Sequence, residues 1–208
     1  MVGIATVSKI VREGCIALWK ALSPTYLKAL TIENAWREVA SEFYSGWNLL
    51  HVIGALDGKH IAIECPHNAG SEFYNYMGFH SINLMAMCDA HYHFFVCRHW
   101  GVMVETMMLQ YFHLAISISA LLASLNIPPA EDFNGYHVPY GLSLTEKQRV
   151  INCCLSRSRR TIENAFGIFS SRWRILRRAF KVTLDLVDSV VKACVCLHNY
   201  LLLTDSAK

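Results

Sequence analysis

Two carboxylates in this sequence stand where an acidic residue could hold a metal ion. Asp57 follows a short apolar run in HVIGALDGKHIAIECP, and Glu163 lies within LSRSRRTIENAFGIFSSRWRILRRAF. A charge at the end of a buried strand is costly unless it reaches water or a cation. Each carboxylate also has a plainer interpretation. Asp-Gly is a common turn dipeptide, and Glu163 is spaced to pair with Arg159 or Arg160 on a helix.

The segment that contains Glu163 is strongly basic. Residues 157–181 carry seven arginines and one lysine against a single acid, although the net charge of the whole chain is only +3. At about 100° per residue, four side chains fall near one line of a helix: Arg159, Glu163, Arg174 and Arg177. The pattern predicts one long basic helix over residues 145–180, with a possible break near Asn152. A polyanion is the natural partner of such a stripe.

Composition indicates a folded protein of the cell interior. Hydrophobic residues make up 53% of the 208 positions and charged residues 17%, which excludes a disordered chain. Mean hydropathy is +0.27, yet no apolar run is long enough for a membrane span, and no secretory signal is visible. The eight cysteines show no disulfide framework, so we expect reduced thiols in the core.

The hydrophobic period changes twice along the chain. It predicts helices at 6–22 and 31–47 separated by Pro24, then short strands. Further helices are expected after the strands, at 106–125 and 184–203. Sequential strands with short connections favour an antiparallel meander. The four predicted strands, broken by Gly58 among other residues, are 51–56, 60–65, 81–88 and 93–100.

Four strings resemble, in order, the nuclease domain of Harbinger-type DDE transposases and their domesticated relatives: LDGKH, YNYMGFHSINLMAMCDAHYHFF, LSRSRRTIENAFGIFSSRWRIL and CVCLHNYL. The resemblance covers residues 1 to about 203. It implies an α/β fold, an RNase H-like mixed sheet flanked by helices, over residues 47–208. A small helical extension, residues 1–46, precedes it, and VGIATVSKIVREG resembles the second helix of a helix-turn-helix. DNA, a Myb-like partner protein, and a location in the nucleus or also the cytoplasm are further implications.

The resemblance also assigns roles to residues. It implies that Asp57 and Glu163 are catalytic metal ligands, the first and third of the family's three acids. Phosphodiester hydrolysis is served by two divalent ions held by carboxylates, and hard oxygen ligands favour Mg²⁺ or Mn²⁺. We therefore expect the two carboxylates on the order of 4 to 8 Å apart. The arginines implied to contact DNA are Arg159, Arg160, Arg174, Arg177 and Arg178.

One part of the family pattern is missing. Relatives carry a strand and a Gly-Asp-x-Ala-Phe-like string before the basic helix, whereas HVPYGLSLTEKQRVINCC runs from loop to helix. The strand with the second acid is therefore expected to be absent. Glu105 and Asp132 are the nearest substitutes, and Asp89 matches a structural turn residue. Two ligands hold a metal pair poorly, which predicts a degenerate endonuclease domain, weak or inactive in cleavage.

Three alternatives stay open. The first is a catalytically inert DNA-binding or protein-interaction module, and the second is an intracellular helical protein whose arginines are buried or paired. The third is a zinc site in HYHFFVCRH, which offers His91, His93, Cys97 and His99. Zinc ligands usually occupy short loops rather than one strand, so the sequence favours a structural role for these four residues.

Overall fold

The computed structural model describes residues 3–27, 33–48, 52–101 and 145–205. The N-terminal helices are α1 (Ile4–Tyr26) and α2 (Glu33–Trp47), and the strands are β1 (Ala55–Ala62), β2 (Ser81–Cys88) and β3 (Phe94–Gly101). After them come α3 (Glu146–Arg172), a 3₁₀ helix η1 (Arg174–Arg177) and α4 (Leu184–Asp205). The predicted helix at 106–125, Glu105 and Asp132 lie outside the described residues.

The three strands form one sheet in the order β1-β2-β3, with both pairings antiparallel. The predicted meander is therefore confirmed for this part of the chain. Register places Asp57 opposite Ala86 and Lys59 opposite Leu84. In the described residues, one parallel pairing adds to the sheet, between Ile63 and Phe180 just beyond the end of β1.

The prediction of two strands separated at Gly58 was wrong. The structure has a single strand, β1, in which Gly58 pairs with Met85 and Asp57 is the third residue rather than the last. Gly58 does not form a turn; it allows side chains of β2 to approach the backbone of β1 closely. A Cβ atom at this position would lie 2.9 Å from Asn83 Oδ1 and from Met85 Sδ, so a glycine keeps the strand continuous here.

The prediction of a single basic helix over residues 145–180 was also wrong, at the C-terminal end of the helix. Helix α3 continues through Asn152 without a break but stops at Arg172, because Trp173 leaves helical geometry with φ −101° and ψ 81°. Past that point Arg177 donates from Nε to the carbonyl of Ser170, at 2.9 Å. This satisfies one carbonyl that a helix end leaves unpaired. Arg174 and Arg177 consequently do not continue the line of Arg159 and Glu163.

Pro24 does not separate the first two helices. It lies in the last turn of α1, which continues to Tyr26. The C-terminal part of α1 packs on α4, where the rings of Tyr26 and Tyr200 meet edge to face with centroids 5.2 Å apart. The Lys192 ammonium of α4 also lies 5.8 Å from the Trp19 ring.

Helices α3 and α4 cover one face of the sheet. Phe94 of β3 lies between Phe166 and Phe169 of α3, with both ring centroids at 5.6 Å, and against His198 of α4 at 4.9 Å. Trp36 of α2 packs on the opposite face, against Met87 and Phe95. The architecture is mixed α/β, with an antiparallel sheet packed on helices.

Helix α4 is the one described helix that is long and apolar enough to cross a membrane. Ten of its residues are buried within the protein, including His198 and Asn199, so it is a core helix here. Burial raises the pKa of Cys194 to about 12 and that of Cys196 to about 11. These are the reduced core thiols expected, whereas Cys65 and Cys153 are exposed and do not fit that expectation.

Buried His198 predicts a pH-dependent stability. Its Nε2 donates to the Tyr92 carbonyl at 3.1 Å, and burial lowers its pKa to about 4. In the unfolded chain this imidazole binds a proton near pH 6.5, whereas in the folded chain it stays neutral until about pH 4. The free energy of unfolding should therefore fall as pH drops from 6.5 to 4. Urea unfolding across this range should show that loss, and the His198→Gln variant should show a shallower one. Equal slopes in both proteins would contradict the role given to His198.

Candidate metal and nucleic-acid site

The structure brings Asp57 and Glu163 together around one arginine. Arg159 Nε lies 3.6 Å from Asp57 Oδ2 and 3.2 Å from Glu163 Oε1. The two carboxylate oxygens are therefore at most 6.8 Å apart, the sum of those two distances. This bound agrees with the separation expected from sequence. The helical pair of Glu163 with Arg159 also forms, as its plainer interpretation predicted, but it includes Asp57 as well.

Asp57 is held at the edge of β1 that faces away from β2. Phe180 pairs along this edge, donating to the Ala62 carbonyl at 3.0 Å and accepting from Glu64 N–H at 2.9 Å. Backbone groups alternate sides along a strand, so the Gly58 N–H faces the same edge. Asp57 Oδ1 accepts that N–H at 2.8 Å. One carboxylate oxygen is thus fixed to the backbone, and the other points to Arg159.

A cleft of about 500 Å³ opens beside this pair. Strand β1 contributes Asp57, Lys59 and His60 to its lining, α3 contributes Glu163, and the turn before β2 contributes Tyr76. Side chains of both carboxylates are partly exposed, Asp57 at 29% and Glu163 at 52%. A ligand in the cleft therefore reaches both carboxylates without unfolding any described element.

Lys59 is a functional candidate that sequence reasoning did not single out. It lies two residues after Asp57 and so on the same face of β1, with its ammonium 5.9 Å from the centre of the Phe166 ring. Burial lowers the pKa of Lys59. The period of two in LDGKH was the signal that could have identified it. An ammonium in the lining of the cleft that holds both carboxylates is placed to contact the phosphate of a bound strand.

The predicted DNA-contacting arginines divide into two groups. Arg159 faces the carboxylates, as described above. We call the remaining four the basic surface; all are exposed: Arg160, Arg174, Arg177 and Arg178. One member of the basic surface, Arg177, adjoins the cleft, because it donates to the carbonyl of Ser170, which lines the cleft wall. The alternative of a purely helical protein with buried or paired arginines does not fit this sheet and this exposure.

Asp89, His91 and His93 do not line the cleft. Asp89 is a structural turn residue, as expected, since its Oδ1 accepts the N–H groups of His91 and His93, both at 2.8 Å. Its Oδ2 meets His93 Nδ1 at 2.8 Å. Within the described ranges no three His, Cys, Asp or Glu side chains form a metal-binding group. The side chains of Cys97 and His99 lie outside the described part of the structure.

The donor chemistry at Arg159 fits a hard cation. Two carboxylates converge on one positive charge, and Mg²⁺ and Mn²⁺ prefer such oxygen donors, with water completing the coordination. Asp57 and Glu163 are the residues that would hold the ion. Since the described residues supply no third acid around them, the fit is to one ion held by two carboxylates.

Comparison with known proteins identifies the family. Residues 56–199 match the sequence profile described as DDE superfamily endonuclease, which covers more than half of the chain. The chain belongs to the DDE superfamily endonucleases. The matched range of this DDE endonuclease runs from β1 to α4 and includes both carboxylates and the basic surface, and the predicted relationship to Harbinger transposase derivatives is confirmed.

The similar curated proteins are nucleases by name. The chain is 25% identical over 176 residues to "Putative nuclease HARBI1" of Bos taurus and 24% identical over 176 residues to that of Homo sapiens. Each alignment covers 80% of this chain and 50% of the relative, so the chain spans about half the length of these relatives. A shorter alignment, 57 residues at 37% identity, joins it to the Rattus norvegicus protein, covering 27% of this chain and 16% of that one. No solved structure matches.

Proposed function

We propose that this DDE endonuclease binds DNA along the basic surface and holds one divalent cation, Mg²⁺ or Mn²⁺, between Asp57 and Glu163. The observation that carries the proposal is the convergence of both carboxylates on the single cation of Arg159. Family membership supports a nucleic-acid substrate. The name of the relatives, putative nuclease, supports phosphodiester hydrolysis as the ancestral reaction.

In this proposal the residues of the cleft have different roles in binding the cation and the DNA. Asp57, fixed by its bond to Gly58 N–H, and Glu163 bind the cation. When bound, the cation would polarise a phosphoryl oxygen and lower the pKa of a bound water. Lys59 and the basic surface contact phosphates and orient the strand. Arg159 offsets one of the two carboxylate charges in the cation-free protein, and its guanidinium would be free to contact phosphate where a cation replaced it.

The fold of the complete domain is part of the proposal. An antiparallel β1-β2-β3 sheet with a parallel contact at the outer edge of β1 supports the RNase H-like arrangement, in which a further strand lies beside β1. The second acid of the family would belong to that strand. We retain Glu105 and Asp132 as its candidate substitutes. A nuclear or also cytoplasmic location and a Myb-like partner remain proposals from the resemblance.

We predict weak cation binding and little or no cleavage. Two carboxylates leave a metal pair short of ligands, and Mn²⁺ should rescue partially because it tolerates looser coordination than Mg²⁺. The measurement is nicking of supercoiled plasmid with each ion, beside an Asp57→Ala control. Robust turnover that the control abolishes would contradict the prediction of a degenerate site, and Glu105 and Asp132 would then be the first residues to mutate.

Removing two arginines of the basic surface should weaken DNA binding irrespective of sequence. Each phosphate contact releases counterions. Loss of Arg174 and Arg177 removes two such contacts, so the slope of log affinity against log salt concentration should become shallower by roughly 1.8. Anisotropy titrations of duplex DNA at several salt concentrations measure it. The matched control replaces Lys20 of α1 and Lys192 of α4, neither of which lines the cleft. If the Arg174→Ala/Arg177→Ala variant keeps the wild-type slope, the basic surface is not the contact.

A second candidate function is an inert DNA-binding or protein-interaction module. Its support is the lack of a third acid around Asp57 and Glu163 in the described chain. The two experiments above separate the candidates. Salt-dependent DNA binding with no nicking under either ion identifies the DNA-binding module, whereas nicking lost on Asp57→Ala identifies the nuclease.

A further inference from the structure

A rigid turn presents two large apolar side chains at the cleft. Residues 75–79 connect a short bridge at Tyr74 to β2, and their tip carries Tyr76, 72% exposed, and Met77, 60% exposed. Both side chains line the same cleft as Asp57 and Glu163. Exposed apolar residues are ordinary on protein surfaces, so the feature of interest is that both of these lie in the lining of the cleft.

The turn is held from within by Asn75, which is 4% exposed. Its Oδ1 accepts the N–H groups of Met77 at 3.0 Å and Phe79 at 3.3 Å. Its Nδ2 donates to Ser81 Oγ at 2.7 Å. Gly78 closes the turn in the left-handed region, with φ +85°, where other residues are strained. The tip is therefore ordered before any ligand arrives, which lowers the entropic cost of binding.

The same network connects the turn to the strand that carries Asp57. His60 of β1 lies 2.9 Å from Ser81 Oγ through Nδ1, and its ring meets the Tyr76 ring at 71° with centroids 5.6 Å apart. The orientation of Tyr76 is thus coupled to β1. A planar aromatic ring, an adjacent thioether and nearby cations together suit a ligand that is both planar and anionic.

We propose that Tyr76 and Met77 form a stacking surface for one unpaired nucleobase of the DNA strand whose phosphate lies at Asp57 and Glu163. This inference rests on the proposed function, because it takes the anionic backbone from the carboxylate and arginine site. Charge complementarity favours a nucleic-acid strand over an apolar peptide as the ligand. Lys59 in the lining and Arg177 beside it are placed to contact phosphates, which an apolar peptide lacks. Base stacking on an aromatic side chain tolerates any base, since each base has a π-face.

The proposal predicts a preference for unpaired bases. The intact chain should bind a duplex with a two-nucleotide bulge roughly tenfold more tightly than the fully paired duplex, within the range that stacking of one base provides. Tyr76→Leu, which keeps apolar bulk but removes the ring, should abolish this preference and leave affinity for paired DNA unchanged. Tyr76→Trp should keep the preference. The control is Tyr44→Leu, a 52% exposed tyrosine on α2, which should behave as wild type.

The outcomes separate this inference from the function on which it rests. Salt-dependent binding of paired DNA without a bulge preference leaves the proposed function standing and overturns the stacking surface. A preference that survives Tyr76→Leu overturns it too. Loss of thermal stability in both Tyr76→Leu and Tyr76→Trp would show that the ring packs within the fold, and it would likewise overturn the stacking surface. No binding to either DNA overturns the proposed function and the stacking surface together.

Discussion

The Asn199→Ala variant should lose about 3 kcal/mol or more of unfolding free energy. Asn199 on α4 is 1% exposed and binds three backbone groups of two other segments. Its Oδ1 accepts Phe94 N–H at 2.9 Å, and its Nδ2 donates to the carbonyls of Phe94 and Tyr26. Truncation leaves all three unpaired, at about 1 to 3 kcal/mol for each buried group.

Such a loss is a large share of the roughly 5 to 15 kcal/mol typical of a domain, so we expect a markedly lower urea midpoint. The matched control is Ser189→Ala on the same helix, which removes an exposed hydrogen bond to the Asp185 carbonyl and should change stability by less than about 0.5 kcal/mol. A loss below about 1 kcal/mol in Asn199→Ala, the lower limit for a single buried group, would mean that Asn199 does not join α1, β3 and α4.

The second large effect concerns cation affinity. Asp57→Asn and Glu163→Gln should each weaken binding of Mn²⁺ by at least roughly tenfold, because each removes one of two charges that attract the ion at short range. Arg159→Gln should strengthen binding several-fold, since the arginine competes for both carboxylates. Titration of free Mn²⁺ by electron paramagnetic resonance measures these affinities directly.

A matched control separates competition from general charge. Arg160→Gln removes the same charge at the next position, where the side chain is exposed, and should strengthen binding much less than Arg159→Gln. Equal increases in Mn²⁺ affinity in the two variants would show that Arg159 acts only through long-range electrostatics and does not compete for the carboxylates. Unchanged affinity in both Asp57→Asn and Glu163→Gln would place the ion elsewhere.

The sequence predicted those elements whose signal is local. Strand β2 matches the predicted 81–88, and α4 begins at the predicted Leu184, because alternation and helical period are read within one segment. The errors in the predicted elements came from residue types that occur both in turns and within strands or helices. Gly58 was taken as a turn signal, yet it permits close packing against Asn83 and Met85, an across-strand contact that no local pattern contains.

The candidate site was predicted only in its parts. The family resemblance implied Asp57 and Glu163 as metal ligands, but the placement of Arg159 between them depends on how α3 packs on β1. The helical line through Arg174 and Arg177 failed where the chain leaves the helix at Trp173. The turn at Tyr76 was not singled out in the sequence, although Asn75 and Gly78 are local turn residues, because the cleft that Tyr76 lines exists only once α3 packs on β1.

The most direct test locates the cation in solution. In amide spectra of the labelled 23.6 kDa chain, substoichiometric Mn²⁺ broadens the signals of nearby residues. We expect the strongest broadening at Gly58, Lys59 and Glu163, and its loss in the Asp57→Asn variant. Broadening centred instead on Asp185 and Asp188 of α4, unchanged in that variant, would contradict the assignment of the cation to Asp57 and Glu163.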